Sequence, residues 1–179
     1  MTNLSIRRWH ANDDPALTTI LCTQMAVDEN WPPAYARKLD ISVWLSTPAN
    51  LGRWVCEHDH EVVGHIGLGS MSTGKAQHFC THTNLPATRF AELCRTVVDP
   101  RHRSLGVASM LTRTAIKAAL TMHRIPVATV LTGRTTWLEM MLNTGWRNVG
   151  DTPADGSSET LISLMPPQKF VDAALSHDD

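Results

Sequence analysis

The sequence predicts a single-domain α/β protein, and three observations carry that reading. The chain has 179 residues, within the ~100 to 200 of one ordinary domain. Hydrophobic residues make up 42% and charged residues 18%, which supplies apolar surface for a core and too little charge for intrinsic disorder. Short apolar or β-branched runs alternate with segments of helical spacing along nearly the whole chain, as in folds where strands and helices share one core.

Leu4 to Arg8 reads as a strand. Asp13, Asp14 and Pro15 then start a helix with proline in its first turn, extending to about Met25. Asn30, Trp31, Pro32 and Pro33 interrupt it, because proline lacks an amide donor and restricts the residue before it, and Tyr35 to Leu45 reads as a second helix. Arg53 to Glu57 and Glu61 to Leu68 flank His58, Asp59 and His60, which predicts a hairpin. Gly69 to Thr88, rich in Gly, Ser, Thr and His, reads as a long loop of the kind that serves as a lid. Phe90 to Val98 reads as a buried strand and Pro100 to Leu105 as a basic turn. Val107, Met110, Leu111, Thr114, Ala115 and Ala118 fall at helical spacing, in a helix running to about Met122. A strand over Val127 to Leu131, a helix over Thr135 to Asn143 stopped by Gly145, and strands near Trp146 to Val149 and Glu159 to Met165 complete the domain. Residues 1–165 thus read as one domain and 166–179 as a polar C-terminal tail.

Charge and composition exclude several classes of function. Lys+Arg 16 against Asp+Glu 17 gives a formal charge of -1, so bulk attraction to nucleic acid or an anionic membrane is absent and neither is expected as a partner. No run approaches the ~20 apolar residues of a membrane span, and Met1 to Trp9 lacks the apolar core of a signal peptide, so a cytoplasmic location is expected. The cysteines Cys22, Cys56, Cys80 and Cys94 form no CxxC pair and read as reduced packing residues.

The most informative stretch runs from Val97 to Ala108, where a buried strand passes through a basic turn into a helix. The first helical amides have no intrahelical partners and the macrodipole places roughly half a positive charge there, so phosphate oxygens can accept several backbone hydrogen bonds at once. Gly106 and Ala108 keep the approach clear of side chains, and Arg101 and Arg103 offer charge-assisted contacts to phosphate. The plainer alternative is a helix that begins after Pro100 with its arginines solvated.

Arg103, Ser104, Leu105, Gly106, Val107 and Ala108 fit the pattern Gln or Arg, two residues, Gly, one residue, Gly or Ala. With it, the chain resembles the GCN5-related N-acetyltransferases. Glu92 to Pro100 matches the strand before that signature and Val127 to Leu131 the strand after it. Leu142 to Trp146 matches the family's motif ending in Gly-Phe or Gly-Trp, and Gly64-His65 looks like many bacterial members. The resemblance implies a mixed sheet with splayed central parallel strands, helices on both faces, and acetyl-coenzyme A between those strands. By position, the backbone of Thr96, Val97 and Val98 would pair with the pantetheine arm, and Arg101, Arg103, Ser104, Gly106, Val107 and Ala108 would hold the pyrophosphate.

The same resemblance exposes departures. Many members carry a tyrosine four residues before the glycine of the Gly-Phe motif, as acid for the departing thiolate; here Met141 stands there, and Arg134 replaces an asparagine often found at the start of that helix. For the incoming amine, ammonium at neutral pH, Glu92 is the candidate base. Strand alternation puts Glu92, Cys94, Thr96 and Val98 on one face, with Arg95 opposite unless a bulge intervenes. The alternative is that Glu92 pairs with a surface cation; His65 offers a second route. Trp31, Trp44 and Trp54 fall in the half where this family builds its acceptor pocket, so Trp31 is a candidate substrate contact, with core packing as the alternative.

Two other patterns are set aside. Gly69 to Ala76 nearly spells the phosphate loop of nucleotide-binding proteins, but Ala76 lacks the magnesium-binding hydroxyl and Gln77 to Pro86 lacks helical periodicity. His78, Cys80 and His82 alternate as on one face of a strand, yet no fourth ligand follows at a familiar spacing, so no metal is expected. The expected activity is acetyl transfer from acetyl-coenzyme A to a primary amine of a small molecule or peptide, by direct attack in a ternary complex. A catalytically degenerate acyl-coenzyme A sensor of the same fold is the alternative, and a homodimer is left open.

Overall fold

The computed structural model describes residues 3–27, 41–46, 49–133, 135–153 and 160–176. The sequence expectations that fall on Trp31, Tyr35 and Arg134 lie outside them. Among the described residues the strands are β1 (Leu4–Arg8), β2 (Gly52–His58), β3 (Glu61–Ser70), β4 (Phe90–Val98), β5 (Ile125–Leu131), β6 (Arg147–Pro153) and β7 (Thr160–Met165). The helices are α1 (Asp14–Val27), α2 (Ile41–Ser46), α3 (Gln77–Thr83), α4 (Val107–Thr121), α5 (Thr135–Asn143) and α6 (Gln168–Leu175). The strands hydrogen-bond in the order β1-β2-β3-β4-β5-β7-β6, a mixed seven-stranded sheet flanked by helices.

Two compact units make up the chain, residues 1–69 with 94–116 and residues 70–93 with 117–179. In the first, β2 pairs antiparallel with β1 and β3, Val55 lying opposite His65 and Cys56 opposite Gly64. On the Val55 side, Leu17, Ile20 and Leu21 of α1 and Trp44 and Leu45 of α2 pack with Val97 into one buried cluster. On the other side α4 presses on Gly64, where a Cβ would sit 2.8 Å from Val107 Cγ1 and 3.0 Å from the Val97 carbonyl oxygen. Helices therefore cover both faces of this unit, and only glycine permits α4 to start so close to β3.

In the second unit β4 and β5 run parallel, Phe90 to Leu93 facing Ile125 to Ala128, and β7 pairs antiparallel with β5 and β6. Its core gathers Phe79, Phe90, Ile125, Val127, Met165 and Val171. Two expectations are corrected here. The stretch Gly69 to Thr88 is not a featureless loop, because α3 forms within it and Phe79 is fully buried against Phe90, ring centroids 5.7 Å apart. Ala76, Phe79, Cys80 and Thr83 do recur at helical spacing, but only one of them is large and apolar. Residues beyond 165 are not merely a polar tail either: α6 buries Val171 and Ala174 in the same core.

The remaining differences are smaller. β5 starts two residues before the predicted Val127, and β6 runs on to Pro153 past a register shift between Asn148 and Gly150. Cys56 and Cys94 are buried as expected of packing residues, whereas Cys22 is exposed. No described helix is long and apolar enough to cross a membrane.

Candidate functional site

The turn between β4 and α4 is fixed from below by Asp99. Its amide donates to the Val63 carbonyl at 2.9 Å and its buried carboxylate accepts from the Arg101 amide at 2.9 Å, capping the short 3-10 turn Pro100–His102. The Arg101 guanidinium also binds that carboxylate, Nη2 at 2.7 Å and Nε at 3.2 Å. Those Arg101 bonds, opposed by burial, hold the Asp99 carboxyl below the usual carboxylate range. Arg101 is thus placed at the turn but committed to its neighbour. Arg103 is exposed and makes no hydrogen bond or ion pair among the described residues, so it is the arginine left for an anion.

Beyond Arg103 the backbone turns left-handed at Ser104, φ 66°, and at Gly106, φ 83°. The first bond of α4 runs from the Met110 amide to the Gly106 carbonyl at 3.0 Å, which leaves the amides of Val107, Ala108 and Ser109 without intrahelical acceptors. A Cβ at Gly106 would meet no atom within 4 Å. The space at that Cβ position is therefore open, and the three amides lie at the positive end of a fifteen-residue helix, an arrangement that suits an anion.

Strand β4 leads into this turn irregularly. Arg95 has φ 54°, a conformation that disfavours a long side chain and persists where the surroundings impose it. Its Nε donates to the Trp44 carbonyl at 2.8 Å and its guanidinium lies over the Trp44 ring at 4.4 Å. Its own carbonyl meets His65 Nδ1 at 2.9 Å, and Arg53 Nε donates to His65 Nε2 at 3.3 Å. Because Nε2 accepts, the neutral ring carries its proton on Nδ1 and donates it to Arg95. His65 is a strut under the irregular strand, not a base.

The expected alternation fails at this point. A Cβ at Gly67, two residues along β3 from His65, would meet Ala49 and the Cys94 sulfur, while Val97 joins the cluster around Trp44. Cys94 and Val97 therefore share a face, and Thr96 and Val98 turn to the opposite one. Thr96 Oγ1 is buried there without a hydrogen-bond partner among the described residues.

Burial pushes the His65 pKa down to about 4, below the ~6.5 of an unfolded chain, so only the unfolded state gains a proton in between. His65 then contributes stability that is complete above pH ~6.5 and lost as pH falls to about 4, amounting to about 3 kcal/mol. Urea unfolding across that window should show the loss in wild type and a flatter profile in His65→Gln. Asp13 and Asp99, held below the ordinary carboxylate range, lose their contributions only at lower pH.

Glu92 lies in the second unit, 2% exposed. Lys75 Nζ sits 2.7 Å from each of its carboxylate oxygens, and Thr129 Oγ1 donates to Oε1. The pair with half-exposed Lys75 matches the alternative in which Glu92 holds a surface cation, although the sequence identifies neither Lys75 nor Thr129 as its partner. One argument against the near-phosphate-loop pattern of Gly69 to Ala76 falls, since a helix does follow it. What argues against a nucleotide is that buried Ala76 brings no hydroxyl for magnesium. His78 and His82 lie on α3, not on a strand, and His78 Nε2 is 3.0 Å from Thr152 Oγ1. No group of three or more His, Cys, Asp or Glu is placed to hold a metal among the described residues. Trp44, Trp54 and Met141 are buried core residues.

The family model described as the acetyltransferase (GNAT) family matches residues 6–136. No curated protein sequence matches the chain. Among solved structures, it is similar to a GCN5-related N-acetyltransferase from Kribbella flavida, with TM-score 0.67 and 18% identity over 92% of this chain and 97% of that one. An acetyltransferase from Salmonella typhimurium, solved with its cofactor acetyl-CoA, gives TM-score 0.64 and 17% identity over 90% and 91% of the two chains. The ribosomal-protein-S18-alanine N-acetyltransferase from Escherichia coli gives 0.64 and 13% over 92% and 94%. These likenesses establish a shared fold, and the family match extends over well more than half of the sequence. The chain belongs to the GNAT acetyltransferase family.

Proposed function

We propose that the protein is an N-acetyltransferase that moves acetyl from acetyl-coenzyme A to a primary amine of a small molecule or peptide, by direct attack in a ternary complex. The observation that carries this reading is the turn at Gly106: left-handed backbone, open space where a side chain would stand, and free amides of α4 behind it. These suit a pyrophosphate, with Arg103 adding charge and Ser104, Val107 and Ala108 lining the approach. The backbone of Thr96, Val97 and Val98 on the preceding strand serves the pantetheine arm, and the buried Thr96 hydroxyl supplies a further polar contact. Preorganised amides stabilise the developing oxyanion, and alignment of amine with thioester removes entropy from the barrier.

Glu92 takes a proton from the acceptor's ammonium, and the neutral amine so formed attacks; to be deprotonated there, an external acceptor displaces Lys75 from the carboxylate. Met141, buried and without a transferable proton, leaves the thiolate to depart unassisted. That feature favours the second reading, a sensor that binds acyl-coenzyme A without turnover. Coenzyme A release over a panel of amino acids, polyamines and peptide amino termini separates the two. Amine-dependent release supports the enzyme, and binding without release supports the sensor.

A further inference from the structure

We propose that Arg53 is a positioning residue for the transfer reaction: by donating to His65 it selects the imidazole tautomer that holds β4 in the shape the pantetheine arm needs. The inference rests on the proposed function, which gives the backbone of Thr96, Val97 and Val98 to that arm. All the residues involved lie in the first compact unit. Arg53 stands on β2 with its side chain only 9% exposed. Its guanidinium carbon lies 3.5 Å from the centre of the Trp9 ring, and Nη2 is 3.7 Å from Asp14 Oδ1, which accepts from Trp9 Nε1 at 3.0 Å. A cation so buried is costly unless its donors are used. Trp9 and Asp14 fix the guanidinium, and Nε is left pointing at His65 Nε2, 3.3 Å away. Arginine has donors only and keeps its protons at any ordinary pH, so this bond runs in one direction.

The tautomer of a neutral imidazole is set by the hydrogen bond that its other nitrogen makes, and His65 is fully buried. With Nε2 accepting from Arg53, Nδ1 carries the proton and donates to the Arg95 carbonyl at 2.9 Å. Without Arg53 the ring can carry its proton on Nε2. The Nδ1 lone pair then faces the carbonyl oxygen, acceptor against acceptor. That carbonyl belongs to the residue with φ 54°, and Thr96 follows it directly. Backbone in this region persists only while its surroundings impose it, so losing the bond lets Arg95 relax and shifts the amides and carbonyls beyond it. The turn before α4 is anchored separately, through the Asp99 amide on Val63 and the Asp99 carboxylate on the Arg101 amide. Turnover should therefore suffer more than the affinity for coenzyme A.

The test compares the full-length wild type with Arg53→Met, His65→Asn and the two combined. Nitrogen-15 NMR of the imidazole, assigned by the signals that His65→Asn removes, should show the Nδ1–H form in wild type and a gain of the Nε2–H form in Arg53→Met. With the most active acceptor amine, kcat of Arg53→Met should fall about 10- to 100-fold, while calorimetry finds a much smaller change in Kd for coenzyme A. In His65→Asn the side-chain amide donates to the Arg95 carbonyl with no tautomer to select, so adding Arg53→Met on that background should cost little. Should Arg53→Met not fold, Asp14→Asn is added to every variant, removing the carboxylate left without its cation and keeping the acceptor for Trp9. An unchanged tautomer in Arg53→Met, a changed tautomer with wild-type kcat, or an equal loss on both backgrounds overturns the inference and leaves the proposed function standing. A wild type that releases coenzyme A with no amine removes both.

Discussion

Gly106→Val is expected to weaken acetyl-coenzyme A binding at least about 100-fold, ~2.7 kcal/mol, the equivalent of losing one or two charge-assisted hydrogen bonds. The valine side chain would stand in the space the pyrophosphate needs, in front of the amides at the start of α4. The fold should survive. No atom lies within 4 Å of the new Cβ, and the cost is that of a β-branched residue at φ 83°, on the order of 1 to 3 kcal/mol. Calorimetric titration gives the affinity and urea unfolding gives the stability. Wild-type affinity in a folded variant would show that the turn holds no pyrophosphate.

Glu92→Gln should lower kcat by about 10² to 10⁴-fold while acetyl-coenzyme A binds as before. Without the base the rate should follow the fraction of unprotonated amine, climbing about tenfold per pH unit below ~10.4 for a lysine-like acceptor. Wild type should level off well before that. Lys75 is half exposed and can turn to solvent, so the variant avoids the penalty of a stranded buried cation. Steady-state rates from pH 6 to 9 would decide it, in order of magnitude. A variant with both wild-type turnover and the wild-type pH profile would make Glu92 a structural partner of Lys75 and Thr129.

The part of the site that was legible in the sequence is the part built on backbone. Asp99 before Pro100, Gly106 at a left-handed position and the apolar stripe of α4 each have a local cause, so the strand, turn and helix could be read from consecutive residues. Even there the diversion of Arg101 was missed, although an aspartate two residues before it is a capping signal. The Glu92 partners were illegible because Lys75 and Thr129 are 17 and 37 residues away along the chain. Arg95 gave no sign of positive φ, since tertiary bonds from His65 and to Trp44 hold it there. In α3 a single phenylalanine among histidines and threonines carries the burial, and in α6 Val171 and Ala174 do. Both helices are specified by the core they meet more than by their own pattern.

The measurement that bears most directly on the site at the start of α4 is the melting temperature with acetyl-coenzyme A, because it requires no knowledge of the acceptor. At about 100 times Kd the ligand should stabilise the native state by ~2.7 kcal/mol, a rise of roughly 5 to 10 °C for a chain of this size. ATP with magnesium should give much less, since Ala76 is buried and carries no hydroxyl for the metal. Magnesium-dependent stabilisation by ATP, with no response to acetyl-coenzyme A, would contradict the account.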